Sequence, residues 1–122
     1  MHREDTQPPA AIERWGWRFH HLGIPTDRVI PGEVEVPGYG MFVSGFESSA
    51  YGVQWMRFAS DSPVHDLVKS MPHLAFEVDD LEAALIDKRV ITAPNSPSAG
   101  VRVAMIVDDG CPIELMQFSK VE

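Results

Sequence analysis

Cysteine, basic residues and long apolar runs are all scarce in this chain of 122 residues. Cys111 is the sole cysteine, so an internal disulfide is excluded and a reducing compartment is expected. No apolar run approaches the roughly 20 residues that cross a bilayer. The charged start, Met1–Asp5, lacks the apolar stretch of a signal peptide. These absences predict a soluble, cytoplasmic protein with no membrane partner.

The charge balance is acidic, with 10 lysine and arginine residues against 18 aspartate and glutamate residues and a net charge of −8. Nucleic acid is therefore disfavoured as a partner, because binding it requires a basic excess that displaces counterions from phosphates. A content of 44% apolar and 23% charged residues is that of a globular chain. At this length we expect one domain over residues 15–122, preceded by an N-terminal extension over residues 1–14.

The two halves of the chain carry the same pattern of polar residues within apolar strands. Each half opens on His-Leu-small-apolar, beginning at His21 in the first half and at His73 in the second. Each half closes on the pattern apolar-(Gln/Glu)-apolar-Met-polar-Phe, with Gln54 in the first half and Glu114 in the second. Equivalent positions in a repeat predict that these four side chains meet by pseudo-symmetry.

Two imidazoles, one carboxylate and one amide oxygen suit a borderline divalent ion such as Ni, Co, Zn, Mn or Fe. We therefore predict one such ion on His21, Gln54, His73 and Glu114. Taken alone, a histidine on a strand is more often a packed residue than a ligand, and Glu114 could alternate outward to solvent. Their joint spacing is what favours a metal. His20 precedes His21 on the same strand, so strand alternation predicts that it faces the opposite side and is structural.

The second half is predicted to form a strand, a helix and three further strands. The helix covers residues 81–88, with Asp79 and Asp80 as caps. A Pro/Ser/Gly loop is predicted over residues 93–100, and a short helix over about residues 62–70 bridges the halves.

The first half has the same strands but no room for the helix, since only residues 27–32 separate its first two strands. Such a helix normally covers the outer face of its sheet, so its loss exposes apolar surface. We expect either the N-terminal segment Ile12–Trp17 or a second subunit to cover that face.

These residues resemble the vicinal oxygen chelate superfamily, which includes glyoxalase I, extradiol dioxygenases and bleomycin-resistance proteins. Residues 72–84 are similar to its fifth strand and second helix, residues 112–118 to its last strand and residues 21–24 to its first strand. The resemblance implies an α+β fold of two paired βαβββ modules, over about residues 15–59 and 72–119, in a curled mixed sheet around a cleft. The first module is abbreviated, with its helix reduced or missing.

Within that superfamily, the ligand set looks most like that of methylmalonyl-CoA epimerase. The resemblance implies metal-assisted isomerisation, epimerisation or lyase chemistry on a small carbonyl or thioester compound, with Glu114 as the base that moves the proton. The epimerase carries a second carboxylate on its third strand. Residues 40–45 contain no acid here, and Glu47 just beyond them is a poor substitute.

Two other functions stay open from the sequence. One is a non-catalytic protein of the bleomycin-resistance type that binds a drug or metabolite in the cleft. The other is an Fe(II) ring-cleaving dioxygenase that uses His21, His73 and Glu114. For any of these functions a homodimer is expected, because the sheet edges and the uncovered first-module face need partners.

Overall fold

The computed structural model describes residues 2–119 and shows an α+β fold built on one eight-stranded mixed sheet that curls into a half-barrel. The predicted fold class is therefore confirmed. The strands are β1 (Arg18–Pro25), β2 (Val34–Val36), β3 (Met41–Ser44), β4 (Val53–Phe58), β5 (His73–Glu77), β6 (Val90–Ser98), β7 (Val101–Asp108) and β8 (Cys111–Phe118). The helices are α1 (Ala10–Glu13), α2 (Asp66–Ser70) and α3 (Leu81–Ala84), with a 3-10 turn over Phe46–Ser48.

The strand order shows that the two halves form one continuous sheet. The order is β2-β3-β4-β1-β5-β8-β7-β6, so a first module (β1–β4) and a second module (β5–β8) meet at the central pair β1 and β5. That central pair is antiparallel, whereas β1 pairs with β4 and β5 pairs with β8 in parallel. The modules are thus related by a pseudo-twofold axis between β1 and β5, as the repeat in the sequence predicts.

Strand register places the four predicted metal ligands on one face of the sheet, called the inner face below. Gly23 pairs with both Gln54 and His73, and Ala75 pairs with both His21 and Glu114. Paired residues on neighbouring strands point to the same side, and so do residues two apart on one strand. Gln54, His73, His21 and Glu114 therefore share the concave side of the sheet.

The main apolar core lies on the outer face of the second module. Leu81 of α3 and Leu115 of β8 are fully buried there, together with Phe76 and Trp17. Ala11 of α1 packs against the same cluster. The N-terminal segment therefore covers the second module, and the expectation that it covers the first module was wrong.

The outer face of the first module is covered in part by the loop that replaces its helix. Residues 26–33 contain no helix, yet two side chains of this loop reach back over the sheet. The Arg28 guanidinium lies 5.6 Å from the ring centroid of Trp55. Glu33 accepts a hydrogen bond from Arg57 Nε at 3.1 Å, and Arg57 lies 4.3 Å from the ring centroid of Phe42. Cation–aromatic contacts and one ion pair here take the place of helix packing.

Three element boundaries differ from the predicted ones. Helix α3 ends at Ala84 rather than at residue 88, and Asp87 adopts a left-handed φ of 63°. The bridging helix begins only at Asp66, because Ser62 donates its hydroxyl to the Tyr39 carbonyl oxygen instead of starting a helix. The predicted loop over residues 93–100 is largely strand β6. An edge strand with an irregular register tolerates prolines, since their missing N–H groups face away from the ladder.

A hydrogen bond ties together the two ends of the curled sheet. The Tyr39 hydroxyl, in the turn between β2 and β3, donates to Asn95 Oδ1 of β6 at 2.6 Å. Strands β2 and β6 are the two edges of the sheet, so this contact spans the opening of the half-barrel. Among residues 2–119, no helix has the length and apolar character required to cross a membrane.

Candidate metal centre

Three of the four predicted ligands converge on one point of the inner face. Glu114 Oε1 lies 3.1 Å from His73 Nε2 and 3.3 Å from His21 Nε2. One ligand atom from each of the three residues lies within 4.8 Å of the other two. The two imidazole rings meet edge to face, with centroids 5.4 Å apart. The central strands β1 and β5 supply the histidines, and β8 beside them supplies the carboxylate.

The carboxylate of this cluster is ionised at neutral pH despite its position. Burial opposes the charge, but hydrogen bonds from His21 and His73 outweigh burial and lower the pKa of Glu114 to about 2. The Glu114 side chain is 15% exposed, whereas the two histidine side chains are 5% and 3% exposed. A charged oxygen thus points at two almost fully buried nitrogen donors, an arrangement that can hold a cation.

The His73 ring lies directly over a glycine on the neighbouring strand. A Cβ atom at Gly23 would fall 2.3 Å from His73 Cε1, well inside contact distance. His73 Nδ1 is buried and has no hydrogen-bond partner within the described residues. An unpaired buried polar atom costs about 1–3 kcal/mol, and such atoms are rare in folded proteins. Close packing therefore fixes the ring of His73. The buried Nδ1 without a partner lowers the stability of the fold, which a histidine with a purely structural role would not need to do.

His20 does not face away from His21, as strand alternation predicted. The register between β1 and β5 shifts between Phe19 and His21, so His20 is the extra residue of a β-bulge. His20 Nδ1 consequently lies 2.8 Å from His21 Nδ1. The His20 ring stacks on Phe46 at 4.8 Å, and burial together with its neighbour His21 lowers the pKa of His20. No signal in the sequence indicated this bulge.

Gln54 and Glu47, the two other side chains considered for the site, differ in burial and in position on the sheet. Gln54 is half-buried and shares the inner face through its pairing with Gly23, so its role as a fourth ligand stays a prediction. Glu47 is exposed in the 3-10 turn beside Phe46. The three residues whose side chains the fold brings together are His21, His73 and Glu114.

Three buried methionine side chains lie on the inner face beside the cluster. Met105 pairs with Glu114, and Met116 lies two residues further along β8. Met56 follows Gln54 by two residues on β4, and all three methionines are 2–8% exposed. Polarisable, flexible thioethers of this kind fill irregular space beside a polar centre. The surroundings are thus apolar, and the charged side chain within the cluster is that of Glu114.

The donor set itself fits a borderline divalent metal ion. Two imidazole nitrogens and one carboxylate oxygen are ligands of Zn, Co, Ni, Mn and Fe in proteins. Three protein ligands leave coordination positions for water, for Gln54 or for a substrate oxygen. Neutral imidazoles with one carboxylate would leave a local charge of about +1 on a divalent site, by charge counting. The residues present therefore fit a metal ion.

Comparison with solved structures finds two proteins of similar fold. A hypothetical protein from Bacillus halodurans C-125 matches with a TM-score of 0.65 and 15% identity, over 87% of this chain and 97% of that one. Methylmalonyl-CoA epimerase from Mycobacterium tuberculosis matches with a TM-score of 0.59 and 21% identity, over 84% of this chain and 89% of that one. No protein-family profile and no curated protein matches the sequence.

Proposed function

We propose that this protein binds one divalent transition-metal ion on His21, His73 and Glu114, with Gln54 as a fourth ligand. The convergence of two nearly buried imidazoles on one carboxylate oxygen carries this proposal. Separate strands supply the three groups, which lie far apart in the chain. His73 Nδ1 has no hydrogen-bond partner among residues 2–119, which leaves Nε2, the nitrogen that meets Glu114, as the polar contact of this ring.

We further propose that the metal site supports isomerase, epimerase or lyase chemistry on a small carbonyl or thioester compound. A bound divalent ion polarises a carbonyl oxygen and acidifies the carbon next to it. The likeness to an epimerase structure supports this class of substrate. Glu114 is the candidate proton acceptor. In that role Glu114 would have to loosen from the metal ion, since a carboxylate that is bound to a cation is a weak base.

Elemental analysis of tag-free protein tests the metal site. We expect close to one transition-metal ion per chain in the parent protein and none in the double variant His73→Ala, Glu114→Ala. His2→Ala is the matched control, because His2 is an exposed histidine in the N-terminal extension. A parent protein that takes up no Ni, Co, Zn or Mn after reconstitution would rule out the metal site.

Proton transfer is tested separately from metal binding. The metal-loaded protein is incubated in D₂O with a panel of small 2-oxo compounds and acyl thioesters, and deuterium at the carbon beside the carbonyl is followed by NMR. We expect deuterium uptake with the parent protein and none with Glu114→Gln, in a preparation that elemental analysis shows to carry the metal ion. If the protein is loaded and still exchanges none of these compounds, a binding protein becomes the better account, and the absence of a carboxylate on β3 already favours it.

The donor set also supports a second candidate, the ring-cleaving dioxygenase. Two histidines and one carboxylate form the ligand set of many non-haem Fe(II) oxygenases. Anaerobic reconstitution with Fe(II), followed by addition of a catechol and oxygen, tests this candidate. Oxygen consumption together with a yellow ring-cleavage product would favour the dioxygenase over the isomerase.

A homodimer is proposed from the apolar side chains that remain on the outer face. Phe19 is 48% exposed and Leu74 is 37% exposed. Both lie on the central strands, where the first module has no helix to cover them. Light scattering at micromolar concentration should give twice the mass of the chain, and a monomer would refute this proposal.

A further inference from the structure

The β-bulge in β1 places two histidine rings in direct contact. His20 Nδ1 and His21 Nδ1 are 2.8 Å apart, which is a hydrogen-bond distance. The His20 ring is fixed from the other side by Phe46, whose ring is parallel to it within 8°. Phe118 lies 5.5 Å away by ring centroids. His20 is therefore held by aromatic contacts in an orientation that meets His21 at one defined atom.

The hydrogen bond between the two rings can run in either direction, and binding of a metal ion to His21 Nε2 would fix which one. Two facing imidazole nitrogens form a hydrogen bond only when one of them is protonated and the other offers a lone pair. His21 presents Nε2 to Glu114 at 3.3 Å. An imidazole that coordinates a metal through Nε2 must carry its proton on Nδ1. In that state His21 Nδ1 donates to His20 Nδ1, and the proton of His20 is on its own Nε2.

We propose that His20 is a positioning residue for the metal centre: when His21 Nε2 binds the metal ion, His20 Nδ1 accepts the Nδ1 proton of His21 and stabilises that tautomer. The inference rests on the proposed metal site. His73 is held by a different means, because its Nδ1 has no partner among residues 2–119 and its ring packs over Gly23. The pseudo-symmetric centre thus orients one histidine by a hydrogen bond and the other by close packing.

Zinc affinity of the full-length protein tests the role of His20. Zn(II) binding is measured by competition with a chelator in the parent protein and in His20→Phe and His20→Asn. Phenylalanine keeps a ring to stack on Phe46 but removes the acceptor, whereas the asparagine amide oxygen can restore it. Partners that orient metal-bound histidines typically contribute 10–100-fold in affinity. We expect a loss in that range for His20→Phe, a smaller loss for His20→Asn and no change for the control His2→Phe.

A second measurement does not depend on any variant. In the zinc-loaded parent protein, ¹⁵N NMR of the imidazoles should show His21 protonated at Nδ1 and metal-bound at Nε2. Metal at Nδ1 of His21, or a folded His20→Phe variant with the affinity of the parent, would overturn the role of His20 and leave the metal site intact. A parent protein that binds no zinc would instead refute the proposed metal site, and the role of His20 with it.

Discussion

Gly23 and His73 face each other across the central strands, and the glycine leaves the space that the imidazole occupies. A Cβ atom on Gly23 would fall 2.3 Å from Cε1 of His73 and 2.8 Å from each ring nitrogen. The same relationship recurs on the other side of the pseudo-twofold axis, where Ala75 faces His21. The small residue two positions after each histidine thus makes room for the histidine of the other module.

Gly23→Ala should displace the His73 ring from the metal centre. Gly23 does not adopt a left-handed backbone conformation, so the effect is steric alone, and overpacking of this kind costs about 1–3 kcal/mol. We expect weaker metal binding together with a lower free energy of unfolding in urea. His73→Ala on the same background removes the clash and provides the control. If Gly23→Ala destabilises the His73→Ala protein as much as the parent protein, the clash with the imidazole is not the cause.

Tyr39→Phe should loosen the closure of the half-barrel. The substitution removes the hydrogen bond to Asn95 and should lower the free energy of unfolding by about 1 kcal/mol. Hydrogen exchange should rise in β6 and in the turn that carries Tyr39, while the central strands keep their protection. Tyr51→Phe is the matched control, because Tyr51 is 82% exposed. Equal exchange in both variants would show that the hydrogen bond does not hold the sheet edges together.

The two tryptophans of the N-terminal segment should differ in their effect on stability. Trp17 is 8% exposed and lies 5.9 Å from Phe76 by ring centroids, so Trp17→Ala should lower the free energy of unfolding by about 3 kcal/mol. Trp15 is 51% exposed and contacts Lys88 and the edge of the core at Trp17, so Trp15→Ala should cost about 1 kcal/mol. Urea unfolding followed by circular dichroism compares them. Similar losses would contradict the packing of this segment against the second module.

The ion pair on the first module should make stability depend on acid pH. The hydrogen bond from Arg57 holds the pKa of Glu33 below its ordinary value of 4.5. A lowered pKa means that the contribution is complete above about pH 4.5 and is lost as the pH falls through the folded-state pKa. Arg57→Met should return the pKa of Glu33 toward 4.5 in an NMR titration and flatten the acid limb of the stability profile. An unchanged Glu33 titration in this variant would exclude Arg57 as the cause.

The candidate site was more predictable from the sequence than its immediate surroundings. The repeat identified His21, His73 and Glu114, because alternation within each strand and equivalence between the halves both act over the whole chain. His20 was placed on the wrong side, since a β-bulge depends on how two strands fit together and no residue of β1 encodes it alone. The sequence shows a small residue two positions after each histidine. Only the register of β1 and β5 shows that each small residue lies opposite the histidine of the other module.

The structure of the outer face could also be predicted only in part from the sequence. The sequence predicted that the first module lacks its helix, because the connection after β1 has too few residues to form one. Its replacement by Arg28 over Trp55 could not be read from the sequence, because a loop of that length has many conformations. The prolines of β6 likewise indicated a loop, and only the position of that strand at the sheet edge made a strand possible.

The distance along the chain between the ligands sets an order of events during protein synthesis. His21 precedes Glu114 by 93 positions. At roughly 5–20 residues per second on the ribosome, the histidine exists for about 5–20 s before its carboxylate partner is made. Strand β8 is translated after the other seven strands, and it must insert between β5 and β7 before the three side chains can meet. The centre would thus stay without its carboxylate until β8 is in place, and metal capture would mark the assembly of the sheet.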